Sequence, residues 1–477
     1  MTPALFGTLY YVSEWAIRLA MLVYVPQQRT SAATRTWLLL IFLLPWPGLI
    51  AYAMFGRIRV PHIRRDKQTR ASQAIRRAEA KFLAERSALG AVPAVAAAYD
   101  SASILAFETG DFLPFAGNRI ELLDDYAGSI ARLIADIDSA RHHAHLLFYI
   151  FENDANGRSV ADALARAAAR GVKCRVLIDA VGGEGGLTHL APRMRAEGVE
   201  VRAALPVGLF RRSAGRFDLR NHRKIAVIDG VTGYTGSQNI SNPEFVPGFP
   251  NEELMARITG PVVAQLEAVF LTDWVLETNE RLDIRELTAN VNVAGTSVAQ
   301  VLPSGPGYPS ENTRDLFIAL LYAARKTVVF TTPYFIPDEP FLQALRAAAT
   351  RGVAVHLVVS KHANQPISQF AQRAYYEDLL SAGVRIHLYR PRFLHAKHVS
   401  IDDQVAVLGT TNIDIRSFAL NAEISLIVFD PAVVADLARI QARYFANSDP
   451  LVAEEWNRRP LIAKVAQNVA RLADSLL

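Results

Sequence analysis

One structural unit is written twice in this chain, and that duplication constrains the fold more than any other feature. ARHHAHLLFYIFEND, VADALARAAARGVKCRVLIDA, MRAEGVEVRAALP and NHRKIAVIDG correspond in order to ARKTVVFTTPYFIPD, FLQALRAAATRGVAVHLVVS, LLSAGVRIHLYRP and LHAKHVSIDD. Each copy alternates short β-branched apolar runs with Ala-rich stretches of helical period, which is the pattern of an α/β layer with a parallel or mixed sheet. The expected fold is therefore α/β, built from two repeats packed about a pseudo-twofold axis so that equivalent ends meet in one cleft. SGPGYPS, residues 304–310, reads as the turn into the second copy.

Each copy closes on the same set of polar residues. His222, Lys224 and Asp229 in HRKIAVID are matched by His395, Lys397 and Asp402 in HAKHVSID. Gly236-Ser237-Gln238-Asn239 follows the first and Gly409-Thr410-Thr411-Asn412 the second at the same distance. In a strand, positions two apart share a face, so imidazole and ammonium project together into one pocket. That pairing suits a phosphodiester: a neutral imidazole attacks phosphorus while ammonium and amide donors hold the non-bridging oxygens. Asn239 and Asn412 would supply amides, and Ser237 and Thr410 hydroxyl donors, for phosphate binding. The six motif residues form the candidate catalytic set. The odd offset of Asp229 and Asp402 from their histidines, and their place at a turn, favour a structural role for these two. Better placed to orient the imidazoles are Glu253 and Glu423, each at the end of an Asn-x-Glu downstream of its motif. A carboxylate on Nδ1 fixes the tautomer and favours the imidazolium.

Other polar clusters carry less. His142, His143 and His145 precede an apolar run and read as a polar strand entrance rather than a metal site, and Gly182 to Gly186 lacks the spacing of a nucleotide-binding loop and reads as a mobile loop. No carboxylate cluster calls for a divalent ion, so neither a metal nor a cofactor is expected.

These residues resemble the phospholipase D superfamily with its two H-x-K-x4-D motifs, and within it the bacterial cardiolipin synthases. Arg170-Gly171-Val172 and Arg351-Gly352-Val353 precede the second strand of each half, Thr332 to Asp338 is similar to the family's PYF-x-P-D turn, and Asp414-Ile415-Arg416-Ser417-Phe418 closes the second motif as the family does. The resemblance implies a phosphohistidine intermediate, one His as nucleophile and the other as acid and base, with Lys and Asn on phosphate. It implies as substrates two phosphatidylglycerol molecules, giving cardiolipin and glycerol. Glu253 stands where these synthases usually carry Asp, and FVPGFPNEE lacks their usual Trp. A hydrolytic phospholipase D, or a transphosphatidylase with another donor or acceptor, would carry the same motifs. A non-catalytic membrane scaffold is disfavoured because neither half-site lacks a His, Lys or Asn.

Charge and hydropathy locate the chemistry. Net charge is +5 over 477 residues, but residues 57–86 hold ten Lys or Arg against three acids, leaving the remainder at −2. A mildly acidic catalytic part argues against a nucleic-acid groove, while a basic block beside apolar segments suits anionic membrane lipids. Arg211, Arg212, Arg216, Arg220 and Arg223 lead into His222 and read as a capture site for lipid phosphates. Residues 36–55 are uncharged and long enough to span a bilayer, with a kink expected at Pro45, Pro47 and Gly48; residues 4–25 are long enough too but contain Glu14 and Arg18. The expected organisation is a membrane hairpin of two transmembrane helices over 1–56, a basic juxtamembrane helical linker over 57–110, a first phospholipase D-like half over 111–290 and a second over 291–477 with a C-terminal helix. The expected location is the bacterial inner membrane, multi-pass, with both termini and the catalytic part cytoplasmic, because basic residues crowd the segment after the second span. The lone Cys174 excludes an intrachain disulfide.

Overall fold

Strand follows helix through both copies, and the strands merge into a single mixed sheet. In the computed structural model the described residues are 3–28, 31–56, 61–85, 93, 95–207, 218–244, 246–278, 280, 292–309 and 311–471. Fifteen strands form the sheet among them. From its middle outward the first half runs Phe115–Leu123, Met255–Thr259, Thr232–Gly236, Lys224–Ile228, His143–Phe148, Lys173–Asp179, Glu200–Ala204. The second half runs Ser297–Ser304, Glu423–Val428, Val405–Gly409, His398–Ile401, Thr327–Thr331, Ala354–Ser360, Arg385–Tyr389, with Ser448–Pro450 at the edge. The two orders are the same. The halves join where Phe115–Leu123 pairs antiparallel with Ser297–Ser304, the relation that a twofold requires of two equivalent strands.

Local chemistry sets the repeat. Asp154 and Asp338 stand at the same place in the two copies, and each carboxylate caps the helix that follows, accepting from Gly157 N at 2.9 Å and Phe341 N at 3.2 Å. Those helices, Ala155–Ala169 and Glu339–Thr350, bury their Ala and Leu faces against the sheet. The strands beneath are buried on both faces, as sheets covered on both sides require. Gly182 to Gly186, expected as a mobile loop, instead enters a helix at Glu184–His189. A Cβ on Gly186 would lie 1.9 Å from the Phe151 carbonyl, so this run is glycine-rich partly because backbone meets backbone.

The helix His62–Glu85, within the expected basic linker, finds its partners in the catalytic body. Arg64 pairs with Glu277 at 2.8 Å, Lys67 Nζ donates to the Thr278 carbonyl at 2.7 Å and Arg76 meets Asp111 at 2.7 Å. Ile75 and Ala78 join the core. The N-terminal segment departs from expectation. Helices cover Pro3–Tyr24, Ser31–Leu43 and Pro45–Phe55, and among the described residues no helix is long and apolar enough to cross a membrane. The expected span over 36–55 is broken at Leu44, with φ −134° and ψ 79°, because a residue before proline is driven out of the helical region and Pro45 cannot donate to the preceding turn. In the first helix Arg18 meets Glu14 at 3.3 Å and also donates to the Phe42 carbonyl at 3.2 Å. The segment expected as a hairpin of two helices forms three packed helices with exposed apolar residues, among them Phe6, Tyr11 and Val12.

Candidate active site

The segments that carry the two histidines leave the sheet just before it begins. HRKIAVID and HAKHVSID read as unbroken strands, yet the strands start only at Lys224 and His398. Upstream, the backbone pairs with the other half. Phe393–Leu394 lies parallel to Asn251–Glu252, and His395 N donates to the Glu252 carbonyl at 2.8 Å. The mirror arrangement bridges Asn221 to Ala422, and His222 N donates to the Ala422 carbonyl at 2.9 Å.

These exchanged pairings bring each imidazole to the carboxylate of the opposite half. His222 Nδ1 lies 2.9 Å from Glu423 Oε2, and His395 Nδ1 lies 2.7 Å from Glu253 Oε1. The Asn of each Asn-x-Glu steadies its own carboxylate, Asn251 Nδ2 donating to Glu253 at 3.1 Å. Both histidines line one cavity of about 330 Å³, with Asn239 and Asn412 on its wall. Lys224 and Lys397 lie buried behind the rings, each ammonium donating to the carbonyl of its own histidine, at 2.8 Å in the case of Lys224.

Burial dominates the electrostatics. It pushes both imidazoles below their usual value, His395 to about 4, against the raising pull of the carboxylates. It pushes Lys224 down to about 8 and Lys397 to about 7. Burial also works to raise Glu253 and Glu423, but the imidazole and ammonium groups beside them outweigh it and hold both below the ordinary range. Burial thus favours the neutral form of both rings, while the groups around them favour the ionised form of both carboxylates. A neutral ring with Nδ1–H donated to a carboxylate leaves Nε2 as the nitrogen for chemistry.

A family model described as "Cardiolipin synthase, PLD-like domain" matches residues 133–274 and 317–445, and so spans both histidine motifs. The chain belongs to this phospholipase D-like family. A second model, described as "Phospholipase_D-nuclease N-terminal", matches residues 16–57. Cardiolipin synthase A of Yersinia pseudotuberculosis serotype O:1b (strain IP 31758) is 35% identical over 485 residues, covering 99% of this chain and 98% of that protein. Cardiolipin synthase A of Yersinia pestis is 35% identical over the same length and coverage. Among solved structures, phosphatidylserine synthase of Haemophilus influenzae Rd KW20 superposes with a TM-score of 0.60 at 17% identity, over 79% of this chain and 99% of that one, which speaks for the fold. As a member of the cardiolipin synthase family, this chain is an enzyme of the phospholipase D superfamily.

Against this family background, the site residues expected from sequence divide into two groups. His222, Lys224, His395, Lys397, Asn239, Asn412, Glu253 and Glu423 gather at or directly behind the cavity. Asp229 and Asp402 do not line it. Each sits beyond the far end of its strand, five residues or about 16 Å from its lysine. Asp229 accepts from the amides of Arg141, His142 and His143 at 2.7 to 2.9 Å, and Asp402 from those of Arg325, Lys326 and Thr327 at 2.6 to 2.8 Å. Ser237 and Thr410, expected on phosphate, do not line the cavity and sit beside the orienting glutamates Glu253 and Glu423. Their hydroxyls accept from Leu254 N and Ile424 N at 2.9 Å, locking the residue after each orienting glutamate.

Of the arginine cluster, Arg220 lines the cavity and pairs with buried Asp179 at 3.2 Å, while Arg223 is held by Asp273 at 2.5 Å behind it. Arg211, Arg212 and Arg216 lie outside the described residues. His143 and His145 converge on buried Glu267, their ligand atoms within 4.8 Å of one another, and they do not line the cavity. Sequence reasoning gave no site role to Tyr149, whose ring centroid lies 4.8 Å from that of His222 and 5.4 Å from Lys224 Nζ, nor to Tyr334 on the opposite wall. The repeat held the signal: Tyr149 and Tyr334 occupy nearly the same place in LLFYIFEND and TTPYFIPD.

Proposed function

We propose that the enzyme condenses two phosphatidylglycerol molecules into cardiolipin and glycerol, with the two half-sites related by a pseudo-twofold axis acting in turn on one phosphorus. His222 Nε2 attacks the phosphorus of the first lipid as His395, which takes up a proton on Nε2 when the anionic diester binds, gives that proton to the departing glycerol oxygen, leaving a phosphatidyl-histidine. The hydroxyl of a second phosphatidylglycerol then gives its proton to His395 and displaces His222. Lys224, Lys397, Asn239 and Asn412 hold the non-bridging oxygens as charge builds. Assigning the nucleophile to His222 rests on analogy within the family. Asp229 and Asp402 serve the fold, and Glu423 and Glu253 orient the rings.

The observation that carries this reading is the pair of exchanged imidazole–carboxylate contacts on one cavity, which supplies two equivalent bases to a single phosphorus. The exposed apolar faces of the N-terminal helices support association with the membrane, and the basic helix His62–Glu85 that follows them in the chain supports a preference for anionic lipid. We place the catalytic part on the cytoplasmic side. Lipid concentrated at such a surface favours an alcohol acceptor over water. Purified enzyme given phosphatidylglycerol in detergent micelles with a chelator should release about one glycerol per cardiolipin with little phosphatidic acid, as expected for one alcohol displacing another on phosphorus. Phosphatidic acid as the main product makes it a hydrolase, and loss of activity on chelation overturns the histidine mechanism.

A further inference from the structure

Two helices beside the cavity wear their amphipathic pattern inside out. With about 100° per residue, Leu461, Ile462, Val465 and Val469 of the helix Leu461–Arg471 fall within one arc of about 100°. All four are exposed, Leu461 at 76% and Ile462 at 81%. The opposite side, turned inward, carries Ala463, Gln467 and Ala470, of which Gln467 is buried. An ordinary surface helix does the reverse. The helix packs directly on Pro366–Ala374, which repeats the inversion. There Ile367 and Phe370 are exposed at 62% and 43% while Ser368 and Gln372 are buried, Gln372 accepting from Phe335 N at 2.9 Å and donating to the Tyr376 hydroxyl at 2.6 Å. Gln365 and Ser368, at the start of this second helix, form part of the wall of the catalytic cavity.

We propose that the outward apolar faces of Leu461–Arg471 and Pro366–Ala374 form one docking surface that enters the acyl layer of an anionic phospholipid bilayer and seats the catalytic cavity on it. Three observations choose this occupant over another protein. The surface adjoins the cavity, and a diacyl lipid whose phosphate reaches the two histidines needs an apolar path for its chains; this step rests on the proposed function. Arg373 and Lys464 flank the faces, Lys464 within 3.8 Å of Glu377, with stems long enough to bring their charges to headgroup level. A helix with large residues on one face and small or polar ones on the other is the form that lies in the plane of a membrane interface. The surface is separate from the N-terminal helices, so the enzyme would hold the membrane at two places, one as an anchor and one at the site.

The chain's only cysteine makes the test direct. Cys174 is buried and its thiol is pushed up to about 12, so one introduced cysteine would be the reactive one. The full-length protein carrying Val465→Cys, Phe370→Cys or the control Asn457→Cys is labelled with an environment-sensitive dye and reconstituted in phosphatidylglycerol vesicles whose acyl chains bear a nitroxide quencher. Dyes at 465 and 370 should lose at least half their emission and the dye at 457 little. Equal quenching at all three positions, or none, overturns the proposal. So does emission at 465 that follows protein concentration without lipid, which would make the surface a contact between copies. This readout needs no turnover, so it stands whether or not cardiolipin is the product. In parallel, Ile462→Asp with Val465→Asp should lower the ratio of vesicle to micelle rates on the order of tenfold, since removing two interfacial apolar side chains weakens seating without touching the cavity. An unchanged ratio counts against the docking role.

Discussion

At the scale of single residues, the site is governed by how thoroughly its cations are stripped of water. An exposed lysine keeps its proton to about pH 10, whereas burial brings Lys397 down to about 7 and Lys224 to about 8. His395 is brought to about 4 by the same cause, with His222 shifted in the same direction. The signs are opposite in effect. Nucleophilic attack needs a neutral His222, so activity falls as pH drops through that histidine; the acid step needs a proton on His395 and phosphate binding needs charged ammonium, so activity falls again as pH rises. We expect kcat/KM for phosphatidylglycerol in micelles to be bell-shaped, with the alkaline limb opening near pH 7 and both limbs belonging to the coupled set. An alkaline limb first seen near the pKa of free lysine, about 10, would show that the ammonium groups are better hydrated than their burial implies. The motif residues were legible in the sequence because the repeat shows them twice. Tyr149 was not, because a tyrosine inside an apolar run looks like core until the cavity beside it is known.

Among the elements, the hairpin after each motif explains an aspartate that the motif alone makes look catalytic. Asp229 and Gly230 both have positive φ, at 54° and 65°, as do Asp402 and Asp403 at 52° and 56°. A turn of that hand joins twisted strands well and is taken readily by Asp and Gly. From there the carboxylate reaches the neighbouring strand's entrance, where amides would otherwise lack acceptors. Several amide bonds also hold Asp229 below the usual carboxylate value, although its partial burial works the other way. Asp229→Ala should therefore cost about 1 to 3 kcal/mol of stability, the penalty for orphaned backbone donors, seen as a lower Tm, while the folded fraction keeps most of its turnover. A turnover loss on the order of 10⁴ at unchanged Tm, the scale of a lost catalytic group, would return Asp229 to the catalytic set. The odd offset from His to Asp already pointed this way in the sequence. The break at Leu44 was foreshadowed by Pro45, but the packing of three N-terminal helices was not, since Arg18 finds its acceptor on Phe42, far along the chain.

Over the whole molecule, the exchanged contacts make each half incomplete alone. His222 depends on Glu423 and His395 on Glu253, across separations of 201 and 142 residues. Glu423→Gln should shift the ring-nitrogen NMR signals and titration of His222 in the first half while leaving His395 nearly as it was, and Glu253→Gln should do the converse. A glutamine in the second half that moved only the second-half histidine would contradict the exchange. Sequence alone determined much here: hydropathy periods and helix caps are local properties, so the duplicated α/β unit, its strands and the paired His, Lys and Asn residues could be read directly. An Asn-x-Glu behind each motif could also be read, but each was as compatible with its own histidine as with the other. Only the tertiary structure decided that the carboxylates cross over, because the choice is made by parallel backbone pairing between Phe393–Leu394 and Asn251–Glu252 and between Asn221 and Ala422, contacts between segments far apart in the chain that no local pattern encodes.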